Sequence, residues 1–309
     1  MALRQTTMAD LAVDVAGLKL RNPILLASGI LDETGGSLLR VFKSGAGAVV
    51  SKSICLNPRT GYKNPTIVEL ENGMVNAMGL PNPGIEEYSA EVSKVTKAGA
   101  ILIGSAFGKD EHEYALVARE FEKHGAAAVE LNLSCPHAKG LGLEIAQSAE
   151  AVEGFTRAVK GAVGIPVMPK LSPNVTNIAN LGIAAERGGA DAIVAVNTVK
   201  AMAISAELKM PILSNKYGGL SGPAIKPIGL RCVYELHEAV GIPIVGVGGV
   251  TTGVDAAEYF MAGASAVQIG TALRTRGFGA FRLICREIQQ FMEKEGFKTV
   301  SEMVGLAHE

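Results

Sequence analysis

Eight short apolar runs recur along the chain, each closing in small or polar residues and separated from the next by a stretch of helical character. They are PILLASG from Pro23, AVVSKS from Ala48, ILIGSAF from Ile101, AVELNLS from Ala128, PVMPKLS from Pro166, AIVAVNT from Ala192, PIVGVGG from Pro243 and AVQIGTA from Ala266. Between them stand amphipathic segments such as EHEYALVAREFEKHGA, AEAVEGFTRAVKGAVG and NIANLGIAAERGGA, which close on glycine as helices do. Near-continuous apolar strands imply a parallel sheet covered on its faces by helices. Eight such units favour a closed (β/α)8 barrel over an open doubly wound sheet. A dinucleotide-binding fold would need GxGxxG after the first strand, and that strand ends instead in ASGILDETGG.

Composition agrees with one large α/β unit. The chain has 309 residues, 48% of them hydrophobic, with 37 glycines, and no compositional break marks a second domain, so a single barrel domain over 1–309 is expected. Twenty-nine basic residues against 30 acidic ones leave a net charge of -1, which gives no footprint for nucleic acid and no polybasic membrane patch. No apolar run approaches the length of a membrane span, and the first twenty residues lack a signal-type apolar core, so a cytoplasmic protein is expected. Cys55, Cys135, Cys232 and Cys285 form no CxxC pair, so spacing suggests neither a metal site nor an iron–sulfur cluster on this chain. The segment LAVDVAGLKLRNP reads as a hairpin that closes the barrel's bottom.

Two excursions are long for a compact domain, one from about Cys55 to Gly84 and one from about Thr198 to Lys226. Both fall on the C-terminal face, where barrel enzymes carry out their chemistry. The seventh and eighth strands end in VGVGGVTTG and QIGTALRT, whose glycines let backbone N–H groups approach an anion, while Thr251 or Thr252 can cap the next helix. A phosphate-bearing ligand is the expectation. Polar residues stand at almost every strand end: Ser28, Lys52 with Ser53, Ser105, Asn132, Lys170, and Asn197 with Thr198. A lysine on a core strand is costly unless its charge meets a partner, so Lys52 and Lys170 on one face argue for a shared anionic or electron-accepting ligand; the plainer alternative is that each snorkels to solvent. Asn76, Asn132 and Asn197 add donors and acceptors suited to a planar, amide-rich substrate. Cys135 follows a strand end and opens the glycine-rich loop PHAKGLG; a thiol there is a candidate nucleophile or base, and with no obvious histidine partner the base is favoured.

NLSCPH, VNAMGLPNPG from Val75, PKLSPN from Pro169, VNT from Val196, GGLSGPAIKP from Gly218, GVGG and IGTA stand in the order found in dihydroorotate dehydrogenases, and the resemblance spans almost the whole chain. It resembles class 1, with a cysteine base, rather than the membrane-associated class 2. The loop ELKMPILSNKYGGLSGPAIKPIGLR is similar to the B type, whose catalytic subunit works with a partner carrying FAD and a [2Fe–2S] cluster and passes electrons to NAD. The resemblance implies FMN on this chain, held by Ser28, Lys52, Ser53, Ser105, Asn132, Lys170, Val196, Gly222, Gly248, Gly249, Gly270 and Thr271, with Lys170 beside the flavin N1/O2 edge. It implies dihydroorotate held by Lys52, Asn76, Ala77, Met78, Gly79, Leu80, Asn132, Asn197 and Thr198, with Cys135 taking the C5 proton as the C6 hydride leaves for flavin N5. It implies a homodimeric core joined by the electron-transfer subunit into a heterotetramer.

Two positions depart from the family pattern: His137 stands where SCPN has asparagine, and Ser105 where asparagine is common. The LSCPH form also resembles dihydropyrimidine dehydrogenases, which reduce uracil and thymine, but NAMGLPNPG is the dihydroorotate-type loop and Lys52 offers a countercharge for a carboxylate that uracil lacks. A fumarate-linked A-type enzyme and a non-catalytic flavin-storing barrel are the remaining alternatives; retention of Cys135, both lysines and the three asparagines counts against the last.

Overall fold

The computed structural model describes residues 9–133 and 147–308; Cys135 and His137 therefore lie outside the described residues. The chain opens with an antiparallel hairpin, β1 (Val13–Val15) and β2 (Leu18–Leu20). Val15 and Leu20 pack with barrel-interior residues such as Leu25, Val50 and Val245, so the hairpin plugs one end as the sequence predicted.

Eight parallel strands then close a barrel: β3 (Ile24–Leu26), β4 (Val49–Val50), β7 (Leu102–Ala106), β8 (Ala128–Asn132), β9 (Val167–Leu171), β10 (Ile193–Ala195), β15 (Ile244–Val247) and β16 (Ala264–Ile269). All eight predicted runs supply a barrel strand. The seam is made by β16 and β3, with Val267 paired to Ile24 and Ile269 to Leu26. Helices α1 (Gly35–Lys43), α2 (Ile85–Lys97), α3 (Glu111–Lys123), α4 (Ala149–Lys160), α5 (Ile178–Arg187), α6 (Lys226–Ala239) and α7 (Gly253–Met261) connect successive strands. After β16 come a short α8 (Ala272–Arg276) and α9 (Ala280–Glu295).

Strand residues alternate between two cores, as the pleat requires. Leu26, Val49, Leu102, Val129, Val167, Ile193, Ile244 and Val267 point outward and pack in the larger core with helix residues such as Val41, Val92, Phe121, Val152 and Ile288. Leu25, Val50, Ile103, Met168, Val194 and Val245 point inward and fill the barrel.

The two excursions build a structure of their own. β5 (Ile67–Leu70) and β6 (Gly73–Asn76) come from the first; β11 (Val199–Met202), β12 (Ile204–Ser205), β13 (Met210–Pro211) and β14 (Tyr217–Ser221) come from the second. Four of them join into an antiparallel sheet ordered β11-β14-β6-β5, in which Gly219 pairs with Asn76 and Leu220 with Val75, while β12 and β13 pair with each other. The sequence placed both excursions on the C-terminal face without foreseeing that they pair, because the pairing joins segments separated by four of the eight barrel strands.

Gly104 lets strand and helix approach closely: a Cβ there would lie 2.3 Å from Phe121 Cγ on α3. Replacing Gly104 with alanine is expected to destabilise the fold by about 1–3 kcal/mol through overpacking. A lowered urea midpoint at unchanged slope checks this.

Candidate active site at the C-terminal mouth of the barrel

The polar residues at the strand ends form one connected chain. The Ser28 and Ser53 hydroxyls stand 3.3 Å apart and the Ser53 and Ser105 hydroxyls 2.9 Å apart. Asn132 Nδ2 donates to Ser53 Oγ at 3.0 Å, Asn197 Nδ2 donates to Asn132 Oδ1 at 3.3 Å, and the Thr198 N–H donates to Asn197 Oδ1 at 2.7 Å. Ser53, Ser105 and Asn132 are buried, so each hydrogen bond offsets a desolvation cost that an apolar strand end would not incur. Six of the predicted site residues are thus linked across five strand ends.

The loop bearing Asn76 joins this chain through the sheet above it. Asn76 Nδ2 donates to Gly219 O at 3.4 Å, and a Cβ on Gly219 would lie 1.9 Å from Thr198 Oγ1, so Asn76 and Thr198 both bear on Gly219. Ala77 N donates to Thr66 O at 2.7 Å and Met78 O accepts from Tyr62 N at 3.0 Å. Asn82 fastens the turn that follows Gly79 and Leu80, donating to Leu80 O at 3.0 Å and accepting from Gly84 N at 3.0 Å.

The glycine-rich ends also converge. A Cβ on Gly249 would lie 2.9 Å from Gly222 O, and one on Gly222 would lie 3.4 Å from Thr271 Cγ2; Thr271 Oγ1 is 3.0 Å from Ser221 Oγ. Gly248 and Gly249 hold φ of 132° and 70°, backbone that other residues rarely adopt. Gly270 is different: its φ is not left-handed, and a Cβ would meet nothing closer than Ala27 Cβ at 3.7 Å. Neither backbone strain nor internal packing accounts for a glycine there; the room it leaves is at the mouth. Val196 directly follows β10 and is buried.

Asp255 holds the loop after the seventh barrel strand. Its Oδ2 accepts from the N–H groups of Thr251 and Thr252, at 2.9 and 2.8 Å, and from Thr251 Oγ1, while Lys226 Nζ donates to Oδ1 at 2.7 Å. Thr252 caps α7 in a capping box with Asp255, as expected for one of the two threonines.

The lysines behave differently from each other. Lys52 Nζ reaches the exposed Glu33 carboxylate at 3.2 Å. Lys170 does not snorkel: it is 5% exposed and turns inward, donating to Glu130 Oε1 at 3.2 Å and Gln268 Oε1 at 3.0 Å. Gln268 Nε2 in turn donates to Glu130 Oε2 at 2.7 Å. Sequence reading missed Glu130 and Gln268, although each is a polar residue at an inward position of an otherwise apolar strand. Asp32, missed too, is buried beneath the Lys52–Glu33 pair. Burial raises its carboxyl above the ordinary range, against the pull of the Gly29 N–H and the Lys52 charge.

Three cysteines are removed from consideration. Burial raises the Cys55 thiol and pushes Cys232 up to about 11 and Cys285 up to about 12, so each stays protonated and weakly nucleophilic near neutral pH. Cys135 lies outside the described residues. Among the described residues no group of three or more His, Cys, Asp or Glu side chains is placed to hold a metal ion, and no helix is long and apolar enough to cross a membrane.

A closed parallel barrel with its polar groups gathered at the C-terminal mouth is the plan of a (β/α)8-barrel enzyme. The family model described as dihydroorotate dehydrogenase matches residues 10–292. A protein of Methanocaldococcus jannaschii, named dihydroorotate dehydrogenase B (NAD(+)), catalytic subunit, is 51% identical over 303 residues, covering 97% of this chain and 98% of its own length. Proteins of the same name from Pyrococcus abyssi and Thermoplasma acidophilum are 52% and 51% identical over 96% and 97% of this chain and 99% of each relative. Among solved structures, DHODH from Eimeria tenella in complex with ferulenol superposes with a TM-score of 0.84 at 23% identity, covering 99% of this chain and 90% of that one, a likeness of fold. The chain belongs to the dihydroorotate dehydrogenase family.

Burial alone would raise the Asp255 carboxyl, but the hydrogen bonds from Lys226, Thr251 and Thr252 outweigh it and pull it down to about 2. A depressed carboxylate contributes stability that is present above its unfolded value of about 3.9 and lost as pH falls toward the folded one. Asp255→Asn is expected to lower the unfolding free energy by about 2 kcal/mol at neutral pH. In denaturant titrations the gap to wild type should close between about pH 4 and pH 2.

Proposed function

We propose that this chain is the FMN-bearing catalytic subunit of an NAD-linked dihydroorotate dehydrogenase, oxidising dihydroorotate to orotate in pyrimidine biosynthesis in the cytoplasm. The observation that carries the reading is the continuous polar chain from Ser28 through Ser53, Asn132 and Asn197 to Thr198, which meets the Asn76 loop at Gly219. Such a chain suits a flat ligand rich in amides and carbonyls.

The residues present fit FMN. The loops bearing Gly222, Gly248, Gly249 and Thr271 converge, and Gly270 leaves room that a Cβ would fill. Gly222, Gly248, Gly249, Gly270 and Thr271 would hold the phosphate; Ser28, Lys52, Ser53, Ser105, Asn132, Lys170 and Val196 would hold the ring and its side chain. When bound, FMN supplies the electron acceptor, taking hydride at N5.

Substrate binding falls to Lys52, Asn76, Ala77, Met78, Gly79, Leu80, Asn132, Asn197 and Thr198. Lys52 already faces a carboxylate, that of exposed Glu33; such a pair is worth at most about 1 kcal/mol, so exchanging it for the substrate carboxylate costs little. The asparagine side chains fix the ring's amides and carbonyls and so orient C5 and C6. Cys135 is the base that removes the C5 proton. Its thiol, with an ordinary value of about 8.5, must first give up its own proton, so turnover should rise with pH until the thiolate forms. Electrons would then go to a partner subunit, which the relatives' name "catalytic subunit" supports; that partner would carry FAD and a [2Fe–2S] cluster, in a heterotetramer built on a dimer of this chain.

The purified chain should be yellow and bleach when dihydroorotate is added without oxygen. Cys135→Ala should retain FMN and lose dihydroorotate oxidation by at least about 100-fold. NAD reduction should need the partner; turnover with fumarate by this chain alone, or uracil reduction without dihydroorotate oxidation, would overturn the assignment.

A further inference from the structure

The barrel interior holds a closed ring of three polar side chains. Glu130 on β8, Lys170 on β9 and Gln268 on β16 are 0%, 5% and 2% exposed. Lys170 donates to both neighbours, and Gln268 Nε2 closes the ring on the second oxygen of Glu130. Neighbouring inward positions carry Leu25, Val50, Ile103, Met168, Val194 and Val245, all apolar. Burying an ion pair costs desolvation that its own attraction repays poorly, and apolar residues of similar size commonly serve stability as well or better. The ring is therefore kept for something other than holding the barrel shut.

Its geometry fixes one atom. A lysine stem has four rotatable carbons, and a single carboxylate would leave the ammonium free to swing around it. Here two acceptors on strands from opposite parts of the barrel take two of its three donors and hold the ammonium between them. The amide of Gln268 is oriented by the same contacts, its oxygen toward the cation and its nitrogen toward the carboxylate. Lys170 sits one strand from Asn132, with which it is in register, and so belongs to both the ring and the mouth.

We propose that Glu130 and Gln268 are positioning residues that hold the Lys170 ammonium in place against the electron-accepting edge of the bound flavin. This rests on FMN binding at this mouth. Glu130 supplies a countercharge to the buried ammonium, and Gln268 stops that ammonium from collapsing onto Glu130. The two residues would act through Lys170, to which both are hydrogen-bonded.

Sulfite provides a readout independent of turnover. It adds through sulfur to N5 of oxidised flavin, the displaced electron pair comes to rest on the N1/O2 edge, and the visible band bleaches. Its dissociation constant therefore reports on a cation at that edge. In FMN-loaded protein at mildly alkaline pH, Glu130→Gln and Gln268→Met should each bind sulfite about tenfold more weakly than wild type. The double variant Glu130→Gln with Gln268→Glu rebuilds the ring with the charge relocated and should return to within about twofold. A merely structural pair would alter melting temperature or FMN loading and leave the sulfite constant of the loaded fraction unchanged. Loaded single variants with wild-type sulfite affinity, or a double variant as impaired as Glu130→Gln, would overturn the inference. A wild-type chain that takes up no FMN would instead overturn the functional reading on which it stands.

Discussion

Closure of eight strands leaves an interior wide enough for side chains and little else, and this constraint governs what the molecule can be. Every inward position must be filled, and every polar group placed there must find a partner, because no water-filled lumen exists to satisfy it. Low in the barrel the answer is apolar: Leu25, Val50, Ile103, Val194 and Val245, stoppered by Val15 and Leu20 of the hairpin. Higher up, hydroxyls and amides satisfy one another from strand to strand, which makes the mouth at once a set of solved hydrogen bonds and a surface of donors and acceptors.

The sheet over the mouth depends on that base. β6 and β14 belong to excursions far apart in sequence, and their pairing sets Asn76 against Gly219 while Gly219 rests on Thr198. β14 then runs directly into Gly222, so one strand connects the Asn76 loop with the glycine-rich ends. Gly219 and Gly222 serve close packing here, since any side chain would strike Thr198 or the backbone of Gly73.

Most of the fold was legible in the sequence because it is periodic: short apolar runs, helices ending on glycine and a hairpin before the first run are local signals. The mouth residues were legible for a related reason, since a serine, lysine or asparagine closing an apolar run is conspicuous. Partners that exist only in three dimensions were not. Lys170 could be flagged as expensive, but Glu130 lies forty positions away and Gln268 ninety-eight, and nothing local ties them together. The β6–β14 pairing was hidden likewise, as were Asp32 beneath Lys52 and Asp255 behind the glycine loop.

The seam of the barrel has a consequence for how the molecule is made. Gln268 sits on β16, which both completes the ring around Lys170 and closes the barrel against β3. A ribosome releases β8 and β9 well before β16, so for part of synthesis the Lys170–Glu130 pair has no third member and the interior stands open along one side. The final strand thus does two things in a single event: it shuts the barrel and completes the shell of the lysine. A chain lacking β16 would have neither the β16–β3 seam nor the third member of the ring.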